Sequence, residues 1–341
     1  MTARSLTHLL ERVAEGHDLT AEEAEAAFDC FMDGSATEIQ MAGLLVGLRA
    51  KGLAPSEVAG GVRALRTAMV PVASSDPDVL VDTAGTGGGT VTTFNISTAA
   101  AFVVAGAGVP VAKHGNRSFT SRSGSADVLE ALGVTIDLTP ERMGEVLEEA
   151  GIVFMFAPLL HPAMRYVGPV RRGLGIRTVM NILGPLTNPA GARRQVVGVA
   201  DAPLLELIPG ALKELGHLRA MVVHGSPGLD EVSPLGPTRV VELRDGELRD
   251  YELELENVGL SPVEAGDIAG GEPEDNARLV TSVLAGDAGA PRTVVILNAA
   301  AALLVADRAD DWPAAVSLAE DVIDSGAAAA ALERLRVSTS E

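Results

Sequence analysis

A short apolar run, Val79–Val81, opens into the glycine loop Asp82-Thr83-Ala84-Gly85-Thr86-Gly87-Gly88-Gly89. A small-residue, helix-like stretch follows, and a second apolar run stands at Val109–Ala112. Two strands joined by a crossover helix pair in parallel, and parallel sheets are covered on both faces. The pattern therefore predicts an α/β fold with a mainly parallel central sheet. Further strand candidates are Ile152–Phe156, Gln195–Val199, Ala220–Val223, Arg239–Glu242 and Thr293–Leu297. Helix-like stretches lie between them at Pro140–Ala150, Leu204–Leu215, Asp275–Ala285 and Trp312–Asp324. The run Ala327–Ala331 also reads as helix, and Asp245-Gly246 as a hairpin turn.

The N-terminal region has a different pattern. Thr20 and Glu23 form a capping-box signature ahead of Ala24, Ala27, Phe28 and Phe31. Thr37–Lys51 carries an apolar stripe through Ile39, Ala42, Leu45, Val46 and Leu48 and stops at Gly52; Pro55 opens another helix over Ser56–Met69. Pro71, Ser74, Ser75, Asp76 and Pro77 form a breaker cluster. These features predict a small N-terminal α-helical domain over residues 1–72, joined by helices from about 162–182, and a larger α/β domain over 76–341.

Charge informs more by position than by total. The 26 Lys and Arg against 46 Asp and Glu leave a formal charge of −20, which argues against nucleic acid as a partner. Two windows nevertheless hold no acidic residue. Thr83–Ala126 contains Lys113, Arg117 and Arg122; Ala150–Ala200 contains Arg165, Arg171, Arg172, Arg177, Arg193 and Arg194. Such a zone in so acidic a chain points to a site for a multiply charged anion, unless packing alone excludes carboxylates there. With 47% hydrophobic residues the chain can bury its own core, and the lone Cys30 excludes a disulfide framework or a cysteine-rich zinc site. No cationic-then-apolar leader pattern surrounds Glu11. The uncharged stretches Ala99–Ala112 and Thr293–Ala306 fall short of the roughly 20 residues of a membrane span. The expectation is a cytoplasmic protein with no membrane partner.

Three stretches carry chemistry. Glycines in the loop allow backbone N–H groups to approach a phosphate, and Asn95, Ser97 and Thr98 add donors where the next helix begins. The loop is neither a dinucleotide fingerprint nor a P-loop, and a plain tight turn is an equal reading. Lys113-His114-Gly115-Asn116-Arg117-Ser118, with Ser121, Ser123 and Ser125 beyond, follows a strand and suits phosphate and ribose oxygens; the alternative is a polar loop. Asp230-Glu231 within Gly228–Ser233 suits Mg²⁺, although solvated loop acids are the ordinary alternative in an acidic chain.

Together with His161-Pro162-Ala163-Met164, Val170-Arg171-Arg172 and Asn181-Ile182-Leu183-Gly184-Pro185-Leu186-Thr187-Asn188-Pro189, these stretches stand in one order from residue 85 to 233. In that set the chain resembles the anthranilate phosphoribosyltransferases, a glycosyltransferase family grouped with pyrimidine nucleoside phosphorylases. The resemblance spans essentially the whole chain. It implies that Gly85, Gly88, Gly89, Thr93, Asn95, Ile96, Ser97, Thr98, Lys113, His114, Gly115, Asn116, Arg117, Ser118, Phe119, Thr120, Ser121 and Ser125 hold phosphoribosyl pyrophosphate (PRPP). It places anthranilate at Gly85, Asn116 and Arg171, with His114, His161 and Pro185 lining its path, and Mg²⁺ on Ser97, Asp230 and Glu231. It also implies a homodimer through the N-terminal helices. No covalent or acid–base catalytic group is implied, because orienting the substrates and stabilising the leaving pyrophosphate suffice.

Two departures stand out. Where the family's glycine loop usually continues with Asp, this chain has Gly89; where Lys is frequent, it has Arg122. Gly89 keeps a non-catalytic PRPP-binding protein among the readings. A nucleoside phosphorylase is disfavoured by Asn116 and Arg171, and a dinucleotide oxidoreductase by the missing fingerprint.

Overall fold

The structure, a computed structural model, describes residues 3–118 and 122–340. It begins with helices α1 (Ala3–Ala14), α2 (Ala21–Met32), α3 (Glu38–Lys51) and α4 (Pro55–Ala68). Reciprocal capping boxes at Thr20–Glu23 and Thr37–Gln40 start α2 and α3, and Pro55 occupies the first turn of α4. Strands and helices then alternate: β1 (Val81–Gly85), α5 (Ile96–Gly106), β2 (Val111–Gly115), α6 (Ser125–Ala131), α7 (Pro140–Ala150) and β3 (Ile152–Phe156). Next come α8 (Ala157–Leu160), α9 (Met164–Leu174), α10 (Met180–Leu183), β4 (Arg194–Gly198), α11 (Leu204–Glu214) and β5 (Arg219–Gly225). The hairpin β6 (Thr238–Arg244)–β7 (Glu247–Leu253) and helices α12 (Pro273–Leu284), α13 (Ala290–Val305), α14 (Trp312–Asp324) and α15 (Ala327–Ser340) complete the chain.

The sheet has seven strands in the order β3-β2-β1-β4-β5-β6-β7. The first five are parallel, and β6 and β7 run antiparallel. Asp245 and Gly246 both adopt positive φ, 53° and 77°, as a two-residue hairpin turn requires. Chain order runs outward from β1 to β3, then returns to β4 on the other side. The order therefore reverses between β1 and β4, where Gly85 lies opposite Gly198, and a crevice opens beyond the strand ends.

Residue alternation assigns each sheet face its cover. Val196, Met221, Val223 and Val240 pack with α5 and α12–α15, whereas Val197, Val199, Ala220, Val222, Val241 and Leu243 pack with α11 and the N-terminal helices. Val167 and Val170 of α9 and Met180, Ile182 and Leu183 of α10 enter that second core. The helical bundle is thus one wall of the sheet.

Two sequence expectations need correction. Thr293–Leu297 is not a strand but part of α13, whose residues Val294–Val305 are all buried. An apolar run buried on every side has no period to read, and only its length and Pro291 in the first turn favour a helix. In α3 the buried face is Met41, Leu44, Leu45 and Leu48; Ile39 and Val46, expected in the stripe, are 84% and 40% exposed.

His217, between α11 and β5, is buried with Nδ1 on the Leu212 carbonyl and Nε2 unpartnered among the described residues. Burial above all, with the Arg66 charge, lowers its pKa to about 3. The unfolded chain therefore takes up a proton below about pH 6.5 that the folded chain refuses, so this contribution is complete above 6.5 and is lost as pH falls. Stability should drop by about 1.4 kcal/mol per pH unit from this residue between roughly pH 6 and 4. Urea midpoints across that range should fall less steeply for His217→Asn; parallel curves would refute this.

Candidate functional site

Small residues let three loops converge at the switch point. A Cβ on Gly85 would lie 2.5 Å from Asp230 Oδ2, and one on Gly198 would lie 1.7 Å from the Asp230 carbonyl oxygen. Glycine at the ends of β1 and β4 is thus what admits the Asp230-Glu231 segment. Gly87 N–H donates to Asp230 Oδ2 at 2.8 Å, tying the glycine loop to that carboxylate. Behind the segment, Asn298 of α13 accepts from Val232 N–H at 2.8 Å and donates to Val232 O at 3.0 Å. A lone amide in an apolar helix fixes where the two acids stand.

Lys113 leaves β2 almost wholly buried, donating to Thr83 O at 2.6 Å and Ser97 Oγ at 3.2 Å. Burial lowers its pKa, opposed by Asp82 and Glu231. Glu231, at the crevice floor, is raised by desolvation and by the Asp230 charge, against the pull of Lys113 and of Ser97 N–H. Asp230 is likewise raised by burial. Both carboxylates keep some solvent access, and a bound cation would favour the ionised forms that burial and their mutual repulsion oppose. Such adjacent oxygen donors with Ser97 beside them fit a hard divalent cation.

Asp82, fully buried in β1, accepts from Asn188 Nδ2 at 2.8 Å and His114 N–H at 3.3 Å. Burial brings its pKa up to about 6 even with Lys113 near. Asn188 Nδ2 also reaches Ala112 O at 2.8 Å, so the Asn-Pro segment braces β2 from below. Asn95 heads α5 without a side-chain capping bond: its amide nitrogen donates to Ser123 O at 3.2 Å and its amide oxygen accepts from Asn276 Nδ2 at 2.9 Å. Asp82, Asn276 and Asn298 were not singled out from sequence. An isolated polar residue in an apolar strand or helix is the signal that could have found them.

On the other flank, His114 and His161 face each other with Nε2 atoms 3.2 Å apart. Burial lowers both pKa values, His114 to about 3 and His161 to about 4, so both rings are neutral at pH 7. His114 also bonds the backbone of Gly184, next to Pro185. Arg171 of α9 is half-buried, its pKa lowered by desolvation, and no described residue pairs with its guanidinium.

Other expected residues are placed differently. The Arg117 guanidinium is turned onto α6, 2.9 Å from Asp127 and 2.5 Å from Glu130. Ile96 is buried in the core, so only its backbone can meet a ligand. Thr98 Oγ1 is buried without a partner among the described residues, and Ser125 Oγ donates to Asn116 O at 3.2 Å. Gly115 is close enough to Ser125 that a Cβ would lie 2.3 Å from its Oγ. Thr93 forms a backbone bridge with Ala269. Ser118 belongs to the loop after β2, while Phe119, Thr120 and Ser121 lie outside the described residues. Gly87 and Gly88 hold positive φ, 71° and 80°, whereas Gly89 does not.

A model of the glycosyl transferase family, a/b domain, matches residues 77–329, and one of its helical bundle domain matches 7–69. The anthranilate phosphoribosyltransferase of Symbiobacterium thermophilum is 53% identical over 97% of each chain, and that of Moorella thermoacetica 51% identical over 96% of each. The crystal structure of the Thermus thermophilus enzyme superposes with a TM-score of 0.92 at 44% identity, covering 97% of this chain and 99% of that one. The Saccharomyces cerevisiae enzyme in complex with PRPP and Mg superposes at 0.88 with 27% identity, covering 99% of each. The chain belongs to the anthranilate phosphoribosyltransferase family. Among the described residues no helix is long and apolar enough to cross a membrane.

Proposed function

We infer that the protein transfers the phosphoribosyl group of PRPP to the amino nitrogen of anthranilate, yielding N-(5-phosphoribosyl)anthranilate and pyrophosphate, a step of tryptophan biosynthesis. The observation that carries this is full-length identity of about half with enzymes of that name, over a crevice of matching chemistry. The amine attacks C1 of the ribose, the C1–O bond to pyrophosphate breaks with its electron pair, and the new nitrogen centre loses a proton. Charge separation is the barrier, so fixed dipoles and cations around the leaving group do the work. Glycine-loop N–H groups, Ser97, Thr98 and Lys113 receive the phosphates, while Asn116, Gly115 and Ser125 shape the ribose side. Ser97, Asp230 and Glu231 hold Mg²⁺, which supplies positive charge to the pyrophosphate oxygens when bound.

Anthranilate enters past the neutral His114–His161 pair and Pro185, with its carboxylate on Arg171. Neutral rings suit an aromatic substrate and leave Arg171 as the cation that orients it. The test is anthranilate fluorescence with PRPP and Mg²⁺. Consumption should require both, and full retention with folded protein at high concentration would overturn the reading.

The exposed apolar side chains Ile39 and Val46 of α3 favour a homodimer through the helical bundle. Sedimentation should give twice the 35.0 kDa chain mass, and Val46→Asp should shift it to the monomer.

Gly89 bears on the metal. A Cβ there would lie 3.3 Å from Asp230 Oδ1 and 3.0 Å from Gly228 O, and its φ is open to other residues. An Asp there fits once the Gly228 carbonyl gives by a few tenths of an ångström. Gly89→Asp places a third carboxylate beside Asp230, and should lower the Mg²⁺ concentration for half-maximal rate while leaving the anthranilate KM within about twofold. Superimposable Mg²⁺ titrations would mean that Gly89 only eases the turn.

A further inference from the structure

Arg177 lies outside every set of residues named above for the two substrates, yet it rests on the glycine loop. It follows α9, whose C-terminus is closed by Gly175 in the left-handed region. The guanidinium approaches Gly88 through Nη2, so closely that a Cβ there would fall 1.4 Å from Nη2 and 2.5 Å from Cζ. Gly88 is favoured here by its φ of 80°, and a side chain there would displace the Arg177 guanidinium from this contact. The same Nη2 donates to Gly87 O at 3.4 Å, on the residue whose N–H holds Asp230. The only ion pair of Arg177 among the described residues is loose, 3.8 Å to Asp201, and its side chain is 49% exposed. The cation therefore overhangs the anion-binding loop with no tight ion pair, its charge also acting on Asp230 across Gly87. Its backbone carbonyl accepts from Arg49 of α3, so the segment that carries it is hooked to the helical bundle.

We propose that Arg177 is a pyrophosphate-binding residue of the transfer site: its guanidinium swings from Gly87 O onto the pyrophosphate of PRPP and so fastens the helical bundle to the glycine loop. This rests on the transfer reaction above. A planar fork over backbone N–H groups suits two oxygens of one phosphate, and it is supplied from the wall opposite Lys113. The ligand is thus held from both sides of the crevice. Arg49 acts as a positioning residue, through the Arg177 backbone.

The test measures Mg²⁺–pyrophosphate and PRPP affinity by calorimetry, together with steady-state rates, for the full chain and for Arg177→Ala, Arg177→Lys and Arg49→Ala. Arg177→Ala should weaken both ligands about tenfold to a hundredfold, the worth of a charge-assisted pair, with the anthranilate KM within about threefold. Arg177→Lys should recover part of the loss, since it keeps the charge and lacks the fork. Arg49→Ala should raise the PRPP KM by a smaller factor, about threefold, and leave the pyrophosphate affinity of the loop closer to that of the parent. Unchanged affinity in Arg177→Ala overturns the proposal; tighter binding overturns it too, because Arg177 would then be a plug on the loop. Calorimetry keeps the two readings apart: a parent chain that binds PRPP but transfers nothing contradicts the transferase reading, while the Arg177 comparison still stands.

Discussion

Asp230→Ala is expected to lower kcat/KM for PRPP by about 10²- to 10³-fold, the range seen when one preorganised charge-stabilising group is removed. The residue has two jobs in this geometry. Its Oδ2 accepts the Gly87 N–H at 2.8 Å and so sets the glycine loop, and its charge lies beside Glu231 at the floor of the crevice. Asp230→Asn keeps an acceptor for Gly87 and removes the charge, so it separates the two. The asparagine variant should retain more of kcat than the alanine variant, while both need more Mg²⁺ for half-maximal rate. Measured Mg²⁺ titrations of initial rate decide it. An asparagine variant with the parent's Mg²⁺ dependence would remove Asp230 from the metal site and leave it a loop support.

The second large effect is at Arg171. Arg171→Ala should raise the anthranilate KM by about 10- to 100-fold and change the PRPP KM by less than about threefold. The physical ground is that this guanidinium is half-buried, partly desolvated and unpaired among the described residues. A cation left without a counter-charge costs stability, so its removal should leave the melting temperature unchanged or raise it. Loss of thermal stability together with equal effects on both substrates would show a structural role. The contrast with Arg117 is instructive. That side chain spends its charge on Asp127 and Glu130, so Arg117→Ala should act on the α6 loop more than on either substrate directly.

The site was legible in unequal parts. The glycine loop, the Lys113–Ser118 stretch and Asp230-Glu231 could be read because each places unusual residue types together locally, and all three lie at the C-terminal ends of parallel strands. Their braces could not. Asp82 to Asn188, Asn95 to Asn276 and Val232 to Asn298 join residues separated by 66 to 181 positions. No local pattern marks a pair whose partners meet only through the tertiary fold. Arg177 was visible as a basic residue in an acid-free window, but its place over Gly88 follows from where α9 ends against α3.

Local physics, then, belongs to the sequence: the capping boxes at Thr20 and Thr37, the Asp245-Gly246 turn, and the parallel sheet implied by a strand–helix–strand repeat all follow from neighbours in the chain. Burial on every side belongs to the fold. Residues 293–297 read as strand and form helix, because an apolar run packed all round carries no periodicity and its state is set by the α5 and α14 surfaces around it. Ile39 and Val46 read as core and stand exposed, since the face of α3 that packs is chosen by where α1 and α9 lie. The crevice itself is tertiary in the same sense. Its floor exists only because glycine at positions 85 and 198, on adjacent strands, leaves room for the carboxylate and the backbone of one residue, Asp230.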